Sequence, residues 1–127
     1  MDRVATIMSP RVVAIHADCD LSVAVDTFLR FPIRHLVVVD ADRSVRGILT
    51  SEQVMIALGT SGPRRVGDQV LTTARGVSRD DDIADAAELM LQEVADAVLV
   101  TDGTGRVVGV LTWADLVAHV AGRRLRR

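Results

Sequence analysis

The feature that most constrains the fold of this chain is an internal repeat. Residues 47–54 read GILTSEQV, and residues 109–116 read GVLTWADL. The offset of 62 positions extends towards the N-terminus without a gap, as far as the pair Val4 and Val66. A register kept over a whole supersecondary unit indicates two copies of one fold, each too small to bury its apolar face alone.

Each copy has the pattern of a strand, a helix, two further strands and a second helix. Asp20 and Asp82 precede apolar residues at i, i+3, i+4 and i+7, which is typical of a capped amphipathic helix. Leu36–Val39 and its counterpart are continuous apolar runs, as in buried strands. A second helix is predicted after Thr50 and after Thr112. We therefore predict an α/β (α+β) protein built from two β-α-β-β-α repeats that pack sheet to sheet.

Turn-forming residues separate the two copies, because residues 59–63 read GTSGP. The predicted organisation is a first repeat over residues 2–58, a linker over 59–65, a second repeat over 66–121 and a basic tail over 122–127. The tail ends in the letters RRLRR.

Composition excludes several classes of protein. The net charge of −2 gives no general attraction to nucleic acid or membrane, and no apolar run is long enough to span a bilayer. Cys19 is the single cysteine, which excludes an internal disulfide, and the three histidines lack ligand spacing, so we predict no metal site. The N-terminus does not read as a signal peptide. We expect a cytoplasmic protein with no membrane partner.

A catalytic function finds little support in the chain. We find no Ser/His/Asp set, no pair of carboxylates in a plausible cleft and no glycine-rich phosphate loop. We therefore expect that the protein is not an enzyme.

The ordered motifs resemble those of the cystathionine β-synthase (CBS) domain. The first copy has MSP at residues 8–10, RHLVVVD at 34–40 and GILT before its last helix, and the second has VLVTDGTGRVVGVLTWADL at 98–116. The resemblance covers about residues 2–121 and implies a tandem pair with pseudo-twofold symmetry, called a Bateman module. Such pairs commonly bind AMP, ADP, ATP or S-adenosylmethionine in clefts between the repeats, need no cofactor, and regulate other proteins.

The motif Thr112-Trp-Ala-Asp115 carries the chemistry of the second copy. A helix N-terminus has free N–H groups that favour an anion, and a carboxylate in its first turn can accept from both hydroxyls of a ribose. The CBS resemblance assigns this role to Thr112 and Asp115. The alternative is a plain capping box, in which the two side chains satisfy only the helix backbone. In the first copy Thr50 and Gln53 favour the cap, since an amide suits a diol less well.

The resemblance also implies which residues share each cleft. Arg34 and His35 would add cationic or hydrogen-bond donor groups for a phosphate, although an exposed strand start explains them equally well. The cleft of Asp115 is expected to contain Met8, Val13, Ile33, Arg34, His35 and Thr112. The second cleft, with Thr50, Gln53 and Ala97, is expected to be degenerate.

Three hypotheses follow for function. The first is a non-catalytic sensor that binds an adenosine-containing ligand and regulates an unknown protein in trans, as a homodimer. The second is a protein-interaction or dimerisation module that has lost its ligand. The third is association with nucleic acid through the arginine-rich tail, residues 123–127. Trp113, within the motif, would either border a base or anchor a protein interface.

Overall fold

The computed structural model of the protein describes residues 2–72 and 75–122. Within them the chain is a mixed α+β fold, and the predicted order β-α-β-β-α is confirmed in both copies. The first copy contains β1 (Ala14–His16), α1 (Leu21–Arg30), β2 (His35–Val39), β3 (Val45–Thr50) and α2 (Ser51–Leu58). The second contains β4 (Gly76–Ser78), α3 (Ile83–Glu93), β5 (Ala97–Thr101), β6 (Val107–Thr112) and α4 (Trp113–Val120). A short 3-10 turn precedes each copy, at Val4–Thr6 and Val66–Asp68.

The two three-stranded sheets are built alike. In each, the first strand runs parallel to the second, and the second runs antiparallel to the third. His35 pairs with Thr50 in one sheet, and Ala97 pairs with Thr112 in the other. Both sheets have a register shift near the end of their second strand. The repeat in sequence is therefore a repeat of strand register as well.

The first helix of each copy begins where its aspartate predicted. The carboxylate of Asp20 accepts a hydrogen bond from Ser22 N at 3.0 Å, and α1 ends at Arg30, just before Phe31-Pro32. Asp82 occupies the same position before α3, but its side chain makes no capping hydrogen bond. Equivalent positions in the repeat thus differ in their local chemistry.

The chain divides into two compact units whose members are not continuous in sequence. One consists of residues 13–72 among those described, and the other combines residues 2–12 with residues 75–122. The segment before β1 therefore packs with the second copy, and the segment before β4 packs with the first. We call these segments, residues 3–9 and 64–72, the N-terminal strap and the linker strap.

Each strap is held by backbone hydrogen bonds to the unit that it joins. Val4 N donates to Asp81 O and Ala5 N donates to Arg79 O, both at 2.9 Å. Val66 N donates to Cys19 O in the other unit, at 2.8 Å. Because these bonds replace those that each segment would make to water, the straps are integral parts of the folded units.

The core of each unit contains a valine from its strap. Val4 is fully buried, and so is Val66. The core around Val4 contains Ile7, Met8, Val77, Ala86, Met90, Val98, Val100, Leu111 and Leu116. The core around Val66 contains Ile15, Ala17, Leu21, Ala24, Leu36, Val38, Leu49 and Val54.

A glycine lies beneath each strap. A Cβ added to Gly109 would lie 2.8 Å from Ser9 O, and one added to Gly47 would lie 2.6 Å from Thr72 O. The backbones approach so closely because Ser9 bridges Val110, while Thr72 bridges the residue that follows Gly47. The glycine of the repeated GILT and GVLT phrases is thus a steric requirement of the strap.

The straps depart from the register of the repeat. Val4 and Val66 are 62 positions apart, but the bridging residues Ser9 and Thr72 are 63 apart. The sequence offset of 62 therefore holds at Val4 and Val66, but the strap bridges are displaced from it by one residue. A strap can shift by one residue because it makes a single isolated bridge and not a continuous ladder of pairs.

The linker strap carries an ion pair to the start of α1. Arg64 Nη2 lies 2.9 Å from Asp20 Oδ2. The hydrogen bond from the Ser22 amide and the one from Arg64 lower the pKa of Asp20 to about 2. Both partners favour the ionised carboxylate, so the first helix and the strap share one anchor.

Candidate functional site

The start of α4 is built as a complete capping box. Thr112 Oγ1 accepts from Asp115 N at 3.2 Å, and Asp115 Oδ2 accepts from Thr112 N at 2.9 Å. Trp113 N donates to Asp96 O at 3.0 Å. Trp113 N and Asp115 N are therefore already paired. Within the described residues, Ala114 N is the amide of this first turn that has no assigned hydrogen bond.

The start of α2 has the same arrangement. Thr50 Oγ1 accepts from Gln53 N at 3.1 Å, and Gln53 Oε1 accepts from Thr50 N at 3.1 Å. Ser51 N donates to Arg34 O at 3.0 Å, as Trp113 N does to Asp96 O. Both copies thus have the capping box that the purely structural alternative predicts, so the cap alone does not distinguish their functions.

Burial separates Asp115 from Gln53. Asp115 is 4% exposed, and it is the one buried charged residue among those described. Gln53 is partly exposed. Removing a carboxylate from water is unfavourable unless hydrogen bonds compensate it, and a cap requires only a neutral acceptor. Gln53 completes the same capping box at the start of α2, which shows that the cap does not need a charged side chain. The cap therefore does not explain why residue 115 is a carboxylate.

Met8 belongs to the same compact unit as this motif. It is buried, and its sulfur lies close above Gly109 of β6. The next residue, Ser9, exchanges backbone hydrogen bonds with Val110 at 2.9 Å in both directions. The strap thus runs beside the strand that ends at Thr112. Met8, Thr112 and Asp115 are brought onto one strand and its following helix.

The remaining residues expected in that cleft belong to the other unit. Val13 O accepts from Val37 N at 2.9 Å, Ile33 N donates to Phe31 O at 2.8 Å, and His35 starts β2. Arg34 is exposed and precedes β2, with its carbonyl at the start of α2. Their participation in one cleft with Asp115 stays a prediction.

Ala97 is fully buried at the start of β5, paired with Thr112. It lies in a different unit from Thr50 and Gln53, its expected partners in the second cleft. That grouping also stays a prediction. No group of three or more His, Cys, Asp or Glu side chains is placed to hold a metal ion in the described part of the chain.

Among residues 2–72 and 75–122, no helix is long and apolar enough to cross a membrane. The arginine-rich tail, residues 123–127, lies outside the described residues.

The family of the chain follows from a comparison of its sequence with family models. The model of the CBS domain matches residues 4–60 and 74–122. The chain belongs to the CBS domain family. The two matches correspond to the two copies of the repeat, so this protein contains a tandem CBS pair.

Solved structures of CBS pairs have the same fold. The CBS domain pair of protein MJ0100, in complex with 5′-methylthioadenosine and S-adenosyl-L-methionine, has a TM-score of 0.82 at 24% identity, over 95% of this chain and 97% of that one. CBSX2 in complex with AMP has a TM-score of 0.74 at 19% identity, over 94% and 96%. The cytosolic domain of the Mg²⁺ channel MgtE in complex with ATP has a TM-score of 0.73 at 24% identity, over 93% and 48%.

Sequence reasoning expected Met8 of the N-terminal strap in the site but did not predict that the strap packs beside β6. Ser9 joins the motif through β6, and the matching role in the first copy belongs to Thr72 beside β3. The equivalence of Val4 and Val66 was the available signal, because it marks two buried positions outside the regular strands and helices. A repeat reports that two segments are equivalent but not which copy each one packs against.

Proposed function

We propose that this CBS pair binds an adenosine-containing ligand, AMP, ADP, ATP or S-adenosylmethionine, through Thr112 and Asp115. The observation that carries the proposal is the buried carboxylate of Asp115, in a position where Gln53 makes the same cap without a charge. A ribose diol would donate to the carboxylate, and such charge-assisted bonds contribute about 1.5–3 kcal/mol each.

The solved complexes add support at the level of the family. MJ0100, CBSX2 and MgtE are CBS proteins in complex with methylthioadenosine and S-adenosylmethionine, with AMP and with ATP. Each of these ligands contains an adenosine group, so a ribose contact is the interaction that the Asp115 carboxylate would serve. Arg34 and His35, proposed for the same cleft, would then contact phosphate.

The proposed role is regulatory and non-catalytic. Ligand binding would favour one arrangement of the protein and so alter its affinity for a protein partner, in proportion to the difference in ligand affinity between arrangements. A cytoplasmic location and action in trans belong to the same proposal.

The test is calorimetric titration of the whole chain with each of the four adenosine compounds, using variants that separate the cap from the charge. Asp115→Asn keeps an oxygen that accepts from Thr112 N, so its thermal stability should change little while ligand affinity falls by about tenfold or more. Gln53→Asn is the matched control in the other copy and should leave affinity unchanged. Absence of saturable binding by the wild-type protein at millimolar ligand would refute the proposal in favour of a ligand-free interaction module.

We also propose a homodimer, for which α2 provides the supporting observation. Met55, Ile56 and Leu58 are 74%, 64% and 46% exposed. Apolar side chains on both faces of a surface helix are typical of an interface. Sedimentation velocity over a hundredfold range of concentration tests this proposal separately from ligand binding.

A further inference from the structure

The two straps differ in the number of residues between their buried valine and their bridge to the neighbouring strand. Four residues lie between Val4 and Ser9 in the N-terminal strap. Five residues lie between Val66 and Thr72 in the linker strap. Because backbone hydrogen bonds fix both ends of each strap, the extra residue of the linker strap bends the chain away from the core.

The extra residue exposes a side chain whose counterpart is buried. Met8 and Leu71, which come just before the two bridges, each lie close to the glycine of the neighbouring strand. One position earlier, Ile7 is 9% exposed in the N-terminal strap, whereas Val70 is 83% exposed in the linker strap. The linker strap therefore lacks the buried apolar side chain that closes the N-terminal strap onto its unit.

A pocket of about 470 Å³ lies between the linker strap and α2, within the unit of residues 13–72. Gln69 and Val70 line it from the strap, and Ile56 and Ala57 line it from the helix. Most of its surface is apolar. Small-molecule sites in proteins are mostly apolar and have volumes of about 300–1,000 Å³. The pocket therefore has the size and the walls of a ligand site.

The formal charge in the lining of this pocket is the carboxylate of Asp68. Within the described residues, no hydrogen bond or ion pair involves that carboxylate. The two arginines of the strap have other partners. Arg64 Nη2 lies 2.9 Å from Asp20 Oδ2. Arg65 Nη1 lies 3.7 Å from Asp18 Oδ1. The negative charge in the pocket is therefore left for a cationic ligand to pair with.

The uncharged polar groups of the pocket are mainly acceptors. Gln69 Nε2 donates to two backbone carbonyls, both at 2.8 Å, which leaves its Oε1 as an acceptor. Thr60 Oγ1 donates to Ala57 O at 3.0 Å and keeps its own lone pairs. Gln53 adds an amide donor, since its Oε1 already accepts from Thr50 N. Acceptors and a carboxylate together favour a ligand that donates hydrogen bonds.

We propose that this pocket binds a small organic cation, a protonated amine on a short apolar body. The ammonium group donates to the Asp68 carboxylate, and the apolar body packs between Val70 and the side chains of Ile56 and Ala57. An ammonium offers three donors and no acceptor, which matches the polar groups of the pocket. The Thr-x-x-Asp motif of α4 belongs to the other unit, so the proposal does not rest on adenosine binding.

The probe is 2-phenylethylamine, titrated into the full chain near neutral pH while NMR follows the backbone amides. Saturable shifts are expected at Ala57 and Val70, and none at His119 and Ile7, which hold the equivalent positions in the other copy. The alcohol 2-phenylethanol has the same body without the charge and should bind at least about fivefold more weakly. Methylamine has the charge without the body and should give no saturable shift.

Two variants separate the charge from the cavity. Asp68→Asn should weaken binding of the amine at least about fivefold and leave binding of the alcohol unchanged. Ala57→Leu should fill the cavity and abolish binding of both compounds, and His119 shows that the equivalent helix position accepts a larger side chain. Glu52→Gln removes an exposed carboxylate of α2 outside the pocket lining, and as the matched control it should leave both affinities unchanged.

Three results would overturn the proposal. The first is the absence of saturable shifts at tens of millimolar amine. The second is equal affinity for the amine and the alcohol, or an affinity for the amine that Asp68→Asn leaves unchanged. The third is displacement of the amine by AMP, because the pocket would then belong to the adenosine cleft expected around Gln53.

Two further measurements separate this site from the other proposals. Asp115→Asn should leave amine binding unchanged, so a failure of adenosine binding and a failure of amine binding are distinguishable. Ile56 also belongs to the face proposed for the homodimer. The titration is therefore repeated at about tenfold lower protein concentration, and the same affinity is expected. Binding that appears only on dilution would instead show that a second copy covers the pocket.

Discussion

The exchange of straps predicts that a mutation in one copy destabilises the other. Val4 precedes β1 in sequence, but its side chain is fully buried in the core of the second copy. Val4→Ala removes two methyl groups from that core. Their transfer to water costs about 1.6 kcal/mol, at about 0.8 kcal/mol for each carbon. A cavity of about 45 Å³ adds about 1 kcal/mol. The expected destabilisation is about 2.5 kcal/mol.

Native-state hydrogen exchange can locate this loss within the molecule. At about 1.4 kcal/mol for each factor of ten, 2.5 kcal/mol corresponds to exchange about 60-fold faster. We expect the acceleration at Leu99 and Val100 in β5, and little change at Val37 and Val38 in β2. The pairs occupy equivalent register positions in their sheets, so intrinsic differences between strands are small.

The matched variant is Val66→Ala, which creates the same cavity in the core of the first copy. Its effect should be the reverse, with faster exchange in β2 and protected amides in β5. Acceleration centred on β2 for Val4→Ala, or equal acceleration in both sheets for both variants, would refute the assignment of the straps.

Three further predictions follow from the geometry. Gly109→Ala should displace the N-terminal strap, because a Cβ there meets backbone, and NMR shifts of the strap amides would report it. NMR titration should find the pKa of Asp20 near 2, and Arg64→Gln should raise that pKa only in part, because the Ser22 amide still donates to the carboxylate. The stabilisation from ionised Asp20 is complete above its unfolded pKa near 4 and is lost as the pH falls through about 2. Ile56→Lys should shift any dimer towards monomer in sedimentation velocity while the monomer stays folded, since the side chain is 64% exposed.

Much of the regular structure could be predicted from residue patterns. The helices after Thr50 and Thr112 begin where expected, and Asp20 caps α1 as its sequence context indicates. These features depend on short-range chemistry, in which a side chain satisfies an amide two or three residues away. The apolar runs likewise became β2 and β5, the central strands of their sheets.

The candidate site was only partly predictable, because only some of its features depend on short-range chemistry. The motif residues Thr112 and Asp115 were identified from the repeat, and their hydrogen bonds to each other are local. The burial of the Asp115 carboxylate, which distinguishes it from a simple cap, depends on how distant segments pack around it. Asp82 shows the opposite case, because its position was predicted but its carboxylate makes no cap.

The sequence by itself determined that the fold occurs twice, since periodicity and equivalent residues are properties of the linear chain. Only the tertiary structure decided that Val4 stabilises the second copy and Val66 the first. Apolar side chains are driven to leave water, but this drive has no direction and does not specify which core receives them. Close approach over Gly47 and Gly109, together with backbone bonds such as those of Ser9, makes that choice.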